Sequence, residues 1–380
     1  MSTETVAASA KSCSPISLTA AEAVCALGSS LEASLDCWGA GSTGLTTEDG
    51  LLAGRIADRS PLKGRRYGAA SNLAVHVARG ALAQAGWSAE QTRAAWLFAG
   101  SSRGNAGELL RANAWRRPSQ RFSASNTMHS EIAAAVSIEL GIQGPWQMLS
   151  NGCASGLDAL GLAWMALCAG MTQRALVVAV DLPLLPELLR DFQETRLLST
   201  NGLNDPLSPR TSGFIPGEAG VAITLEVGAL SALAEVESYA ANSDAYDSLV
   251  VPTDGAVLAG LLRSMQLPAF ICPHATGTPN HAAAEANALR AAYPNVPPLL
   301  LLKPFTGHTL GASGLLDVAL LAAAMRRGAL PGNLAGLTAP DALFLPTNPA
   351  ALPKSARLLK IASGMGGHNA VVMLRQGRIS

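Results

Sequence analysis

Short apolar runs bounded by glycine or charged residues recur along the chain at Trp96 to Gly100, Leu176 to Val180, Val221 to Val227, Ala269 to Cys272, Leu299 to Leu302 and Leu358 to Ala362. Runs of this length and border predict strands buried on both faces. Between them, Asn72 to Gln84, Leu157 to Cys168, Ala282 to Ala292 and Leu315 to Arg326 are rich in alanine and leucine and predict helices. Strands alternating with helices place the chain in the α/β class, with sheet covered on both faces. The first 60 residues carry scattered glycines and serines and two short helical patches, with no clear linker. Asn204 to Gly217 contains three prolines and predicts a loop.

The pattern repeats itself. CASGLDALGLAWMALCAGM from Cys153 resembles GASGLLDVALLAAAMRRGA from Gly311, with Ala-Ser-Gly at 154–156 and again at 312–314. Each copy opens a mostly apolar helix, so the chain reads as two related halves. Its length of 380 residues, long for one simple core, agrees with an internal duplication.

Composition narrows the partners. Hydrophobic residues make up 49%, aromatics 4% and charged residues 14%, which suits a compact body and not a disordered chain. Lysine plus arginine (27) equals aspartate plus glutamate (27), so no global field favours nucleic acid or an anionic membrane. The longest apolar stretches are interrupted by Asp158 or Asp317 and fall short of the roughly 18 residues of a membrane span. The N-terminus, MSTETVAASAKSC, places acidic and hydroxyl residues where a secretory signal needs a basic start and an apolar block. The cysteines, Cys13, Cys25, Cys37, Cys153, Cys168 and Cys272, form no CxxC pair and lie at no metal-ligand spacing to histidine. The expectation is a metal-free cytoplasmic protein that acts on a small or protein-borne substrate.

Cys153 follows Asn151-Gly152 and precedes a helix, where the helix dipole lowers a thiol pKa and backbone N–H groups can bind an oxyanion. Cysteine is also among the most buried residue types, and a small residue filling a strand-to-helix turn fits the same position. Two histidines favour chemistry. His274 in CPHATGTPN and His308 in KPFTGHTLGASG each follow a predicted buried strand and enter a Gly/Thr-rich loop. Ligand sites of α/β proteins gather beyond the carboxyl ends of strands.

These motifs resemble those of the β-ketoacyl-(acyl carrier protein) synthases of the thiolase superfamily, stand-alone type II enzymes of fatty-acid, polyketide or aryl-polyene pathways. The motifs are GCASG, HATGT and KPFTGHTLGASG, with GPWQMLSNGCASG before the first, PLSPRTSGFIPGEAG between the halves and GMGGHNAVVML near the end. The similarity runs from Ala69 to the C-terminus. It implies a thiolase-like fold of two pseudo-symmetric α/β halves in an α-β-α-β-α arrangement. Residues 1–228 would carry the nucleophile and 229–380 both histidines.

By the same resemblance, Cys153 accepts the acyl group while His274 and His308 polarise the extender thioester. The backbone N–H groups of Cys153 and Met365 form the oxyanion hole, and Thr276 and Thr278 bind a pantetheine arm. Lys303 and Glu285 are expected to pair as a buried charge couple that holds the histidine loops. The reaction is a decarboxylating Claisen condensation with no intrinsic cofactor, its phosphopantetheine carried by an acyl carrier protein. A homodimer, or a heterodimer with another ketosynthase-like subunit, is implied. The chain departs from the family at Ala275, often glycine, at Ala282, usually aspartate, and at Met365, in place of a phenylalanine that gates the acyl pocket. A non-catalytic subunit of the chain-length-factor kind is the alternative, although such subunits often lack the nucleophile. A cysteine hydrolase using Cys153 and His274 leaves the lysine and the second histidine motif unexplained.

Overall fold

A computed structural model of the chain describes residues 14–110 and 122–377, so Cys13 and the N-terminal MSTETVAASAKSC stretch lie outside the described residues. Nine strands make one sheet: β1 (Ile16–Cys25), β2 (Trp96–Gly100), β3 (Trp146–Leu149), β4 (Arg174–Asp181), β5 (Ala219–Val227), β6 (Ala234–Ser243), β7 (Phe270–Cys272), β8 (Arg357–Ser363) and β9 (His368–Gln376). Their order across the sheet is β3-β2-β4-β5-β1-β6-β9-β8-β7. From the outer edge inward, β3, β2 and β4 are parallel, then β5 and β1 each run antiparallel to their neighbour. The other half repeats this order: a parallel bridge from Leu299 to Ile271, β7 parallel to β8, then β9 and β6 antiparallel. The halves join where the first residues of β1, Ile16 to Leu18, pair with Ala234 to Val236 of β6.

Side chains alternate between layers as strand geometry requires. Phe98, Val177 and Ala179 face a central core, whereas Leu97, Val178 and Val180 face an outer one. Helices α1 (Ala69–Ala85) and α2 (Glu131–Leu140) cover that outer face. In the second half, Leu359 and Ile361 of β8 pack outward with α5 (Ala256–Arg263) and α6 (Pro279–Ala292), which follow α3 (Ser155–Cys168) and α4 (Pro186–Glu194) in the chain. Between the two sheet halves lie α3 and α7 (Ser313–Arg327), buried over most of their surface, as expected of helices apolar almost all round. The layers are therefore α-β-α-β-α, the thiolase-like arrangement.

The repeated Ala-Ser-Gly has a packing reason. A Cβ on Gly156 would sit 3.2 Å from the Leu315 Cβ, and one on Gly314 would sit 2.9 Å from the Leu157 Cβ. The two central helices thus cross at equivalent glycines, each accommodating the leucine that follows the other. Each is preceded by a short 3-10 turn, Gly152–Ala154 and Leu310–Ala312.

Two expectations need correction. Leu299 to Leu302 is buried but is not a strand; only Leu299 forms a bridge. Its backbone N–H groups go instead to scattered acceptors, Leu299 to the Phe344 carbonyl and Leu301 to Asn333 Oδ1 at 2.7 Å. The weakly patterned N-terminal region holds β1, a ten-residue strand at the middle of the sheet. Its sequence, ISLTAAEAVC, is rich in alanine, a poor strand former, and pairing on both sides overrides that local preference.

Candidate active site

Cys153 lies in the turn that opens α3, after Gly152 at φ +59°, a backbone conformation that favours glycine. His274 follows β7, and His308 precedes the turn that opens α7. The three are buried and meet on one cavity of about 350 Å³. His308 Nε2 is 3.1 Å from Cys153 Sγ, and the rings of His274 and His308 are 5.3 Å apart, edge to face. Ligand atoms of Cys153, His274 and His308 all lie within 4.8 Å of one another. Among the described residues this is also the one group spaced to hold a metal ion.

The histidine loops are clamped through their backbones. Glu285, on α6, accepts hydrogen bonds from the His274 N–H at 2.6 Å and the Ala275 N–H at 2.7 Å. The Lys303 ammonium donates to the His274 carbonyl. Lys303 and Glu285 therefore grip one peptide segment from two sides, and the expected direct ion pair between them does not form. The physical reason is that each already spends its buried polar atoms on main-chain groups of the His274 loop, which would otherwise go unsatisfied. His308 is held by its N–H to the Ile215 carbonyl at 2.7 Å and by its carbonyl to the Gly217 N–H at 3.0 Å. The residues next to these contacts are strained: Ala275 at φ +43° and Leu310 at φ +45° both occupy the left-handed region.

Burial sets the charges. The His274 and His308 imidazoles are held well below the usual histidine range, first by desolvation and then by the Lys303 charge. Both are neutral at neutral pH. Burial pushes the Cys153 thiol up to about 12, with Lys303 opposing and Asp181 adding to the shift. The thiol-lowering effect expected of a helix start is outweighed by desolvation, because Cys153 is only 7% exposed. Lys303 itself is brought down to about 8 by burial and by the neighbouring Lys360 charge. A neutral imidazole at hydrogen-bond distance can take the proton of such a thiol as it reacts.

Met365, Thr276 and Thr278 line the same cavity, and the two threonine hydroxyls are 3.2 Å apart. The backbone of Met365 stands against the cysteine turn, since a Cβ on Gly152 would come 3.4 Å from its nitrogen. Apolar side chains close the wall beside the sulfur, with Phe192 and Phe214 packed edge to face at 5.3 Å.

Four functional-site neighbours escaped the sequence reading. Lys360 is fully buried, 2.5 Å from Asp317, and donates to the Pro273 carbonyl at 3.0 Å. Both charges stand within apolar runs, a misfit that signals a buried pair. Asp181, at the end of β4, accepts from Ser101 Oγ and from the N–H groups of Ser102, Arg103 and Gly311, tying the two halves behind Cys153. His281 sits one helical turn before Glu285, its ring 4.9 Å from that of His274.

Family models for the beta-ketoacyl synthase N-terminal domain and C-terminal domain match residues 40–229 and 233–336. The chain belongs to the beta-ketoacyl synthase family. Among relatives of this synthase-family chain, the tetracenomycin polyketide synthase ketoacyl synthase alpha subunit of Streptomyces glaucescens is 27% identical over 270 residues, 64% of this chain and 63% of that subunit. The polyketide synthase ThaG of Burkholderia thailandensis is 32% identical over 349 residues, 83% of this chain but 6% of its own length. The chain spans 64% of the length of two further relatives, the polyketide beta-ketoacyl synthase 1 proteins of Streptomyces cyaneus and Streptomyces halstedii. Two solved structures superpose with a TM-score of 0.85, each over 96% of this chain and 100% of theirs. One is a type II polyketide acyl carrier protein in complex with its ketosynthase bound to the hexaketide, 22% identical; the other is the ishigamide ketosynthase/chain length factor, 20% identical. At that identity they establish the thiolase-like fold of a ketosynthase. Among the described residues no helix is long and apolar enough to cross a membrane.

Proposed function

We propose that the chain is an active β-ketoacyl synthase that extends an acyl group held on Cys153 with a malonyl unit delivered by an acyl carrier protein, in a specialised fatty-acid, polyketide or aryl-polyene pathway. The observation that carries this reading is the convergence of one thiol and two neutral imidazoles within 4.8 Å on a single cavity. In the first half-reaction His308 takes the Cys153 proton, sulfur attacks the incoming thioester, and the carrier thiol leaves with that proton. In the second, the malonyl thioester loses CO2 and its carbonyl oxygen takes up the enolate charge. Imidazole N–H donors on His274 and His308 stabilise charge that the ground state lacks. The carbanion attacks the Cys153 acyl carbon, a carbon–carbon bond forms, and the sulfur leaves and is reprotonated from water through His308. The backbone N–H groups of Cys153 and Met365 are the donors to the tetrahedral oxyanion. Lys303 and Glu285 hold His274 in place, and Thr276 and Thr278 contact the carrier's pantetheine arm.

The expected partners are an acyl carrier protein and a second subunit, identical or ketosynthase-like. Strand β3 ends the sheet with Trp146 39% exposed, and Met165 on α3 is 41% exposed; an unpaired apolar edge of this kind favours subunit pairing. A chain-length-factor-like role, in which this chain assists an active synthase, is the second reading, supported by the likeness to the ishigamide ketosynthase/chain length factor.

The test is to incubate the purified protein with acyl-carrier and malonyl-carrier substrates and to follow acylation of Cys153 by intact mass together with release of CO2. Wild type performs both, and Cys153→Ala loses acylation. If folded wild type does neither alone, yet raises the output of an added active synthase, the assisting role replaces the proposal. If it does neither in any pairing, both readings fail.

A further inference from the structure

Helix α6 sends two side chains toward the His274 loop from one turn, His281 and Glu285. Glu285 holds the main chain at His274 and Ala275 with both its oxygens. His281 meets the side chain: its ring stands 4.9 Å from the His274 ring at an interplanar angle of 72°, edge to face. It is 9% exposed and lines the same cavity as Cys153. Its Nδ1 is 3.9 Å from the nearer Glu285 oxygen, beyond hydrogen-bond reach, and has no hydrogen-bond partner. A buried imidazole nitrogen left without a hydrogen bond is costly. What it does contact is the ring of His274, whose own Nδ1 also lacks a hydrogen-bond partner to fix its rotation. The orientation of His274 therefore rests on ring packing, with His281 on one side and His308 on another.

We propose that His281 is a positioning residue for His274, its ring setting the plane in which the His274 imidazole meets the extender thioester. This rests on the condensing reaction proposed above. The groups facing His281 are Glu285 on its own helix, Asp244 after β6, His274 after β7, and Lys303. Burial and the lysine keep it neutral against the two carboxylates.

The experiment compares His281→Ala and His281→Phe with wild type for CO2 release from malonyl-carrier substrate and for acylation of Cys153. Without the ring, kcat for CO2 release falls about 10-fold to 100-fold, as misplacement of a reacting group does, and falls more than acylation. Phenylalanine restores the ring contact and recovers most of that loss. Equal CO2 release by folded His281→Ala and wild type overturns the proposal. So does a His281→Phe protein that is folded and as slow as His281→Ala, or, if His281→Ala does not fold, a folded His281→Phe protein that releases CO2 about 10-fold or more slower than wild type. Wild type that neither acylates nor releases CO2 overturns the synthase reading itself and is distinct from these outcomes.

Discussion

Burial at Cys153 holds the thiol at about 12, so in the proposed reaction its activation falls to the imidazole of His308 at 3.1 Å. His308→Ala is expected to slow acylation of Cys153 by about 10²-fold, the contribution of a positioned base, as followed by stopped-flow quench and mass measurement. Lys360 makes a second residue-scale case. With Asp317 at 2.5 Å it forms an ion pair with no solvent on either side. Lys360→Met is expected to cost about 3 to 5 kcal/mol in urea unfolding because it strands the carboxylate, and adding Asp317→Leu recovers most of that loss. Lys303 carries a pH signature. Its folded-state value of about 8 lies below the ordinary 10.5, so between those pH values the folded state binds fewer protons than the unfolded one. Its contribution to stability therefore rises with pH from 8 to 10.5. Urea unfolding of wild type and Lys303→Met at pH 8 and pH 9.5 checks the sign: the difference moves in favour of wild type at the higher pH.

At the scale of elements, the four helices read from alanine and leucine lie within the observed α1, α3, α6 and α7, and five of the six apolar runs coincide with strands. Those elements bury whole faces, so their periodicity or continuity is written locally. Strand β1 and the Leu299 segment were misread because their state is decided by neighbours: β1 is paired on both sides, while Leu299 to Leu302 is bonded to Asn333 and Phe344. The crossing of α3 and α7 offers a test of the duplicated motif. A Cβ on Gly156 would meet the Gly311 carbonyl oxygen at 2.7 Å and the Ala179 Cβ at 2.9 Å. Gly156→Ala is expected to lose about 1 to 3 kcal/mol through overpacking, seen as a lowered Tm, despite alanine's better helix propensity.

For the whole molecule, the site exists only where the halves meet, with the thiol from the first and both imidazoles from the second. If subunits pair through the β3 edge, Trp146→Glu with Met165→Glu shifts the native mass from dimer toward monomer. An unchanged dimer mass places the pairing surface elsewhere.

By itself the sequence determined the layered α/β class and the internal repeat and singled out Cys153, His274 and His308 as candidates, because motif order and apolar pattern are local properties of the chain. Only the tertiary structure decided that Lys303 and Glu285 grip a shared loop without pairing, that Lys360 and Asp317 are the buried ion pair, and that His281 packs on His274. These depend on which polar atoms from distant segments lose water together, and no spacing along the chain encodes that desolvation.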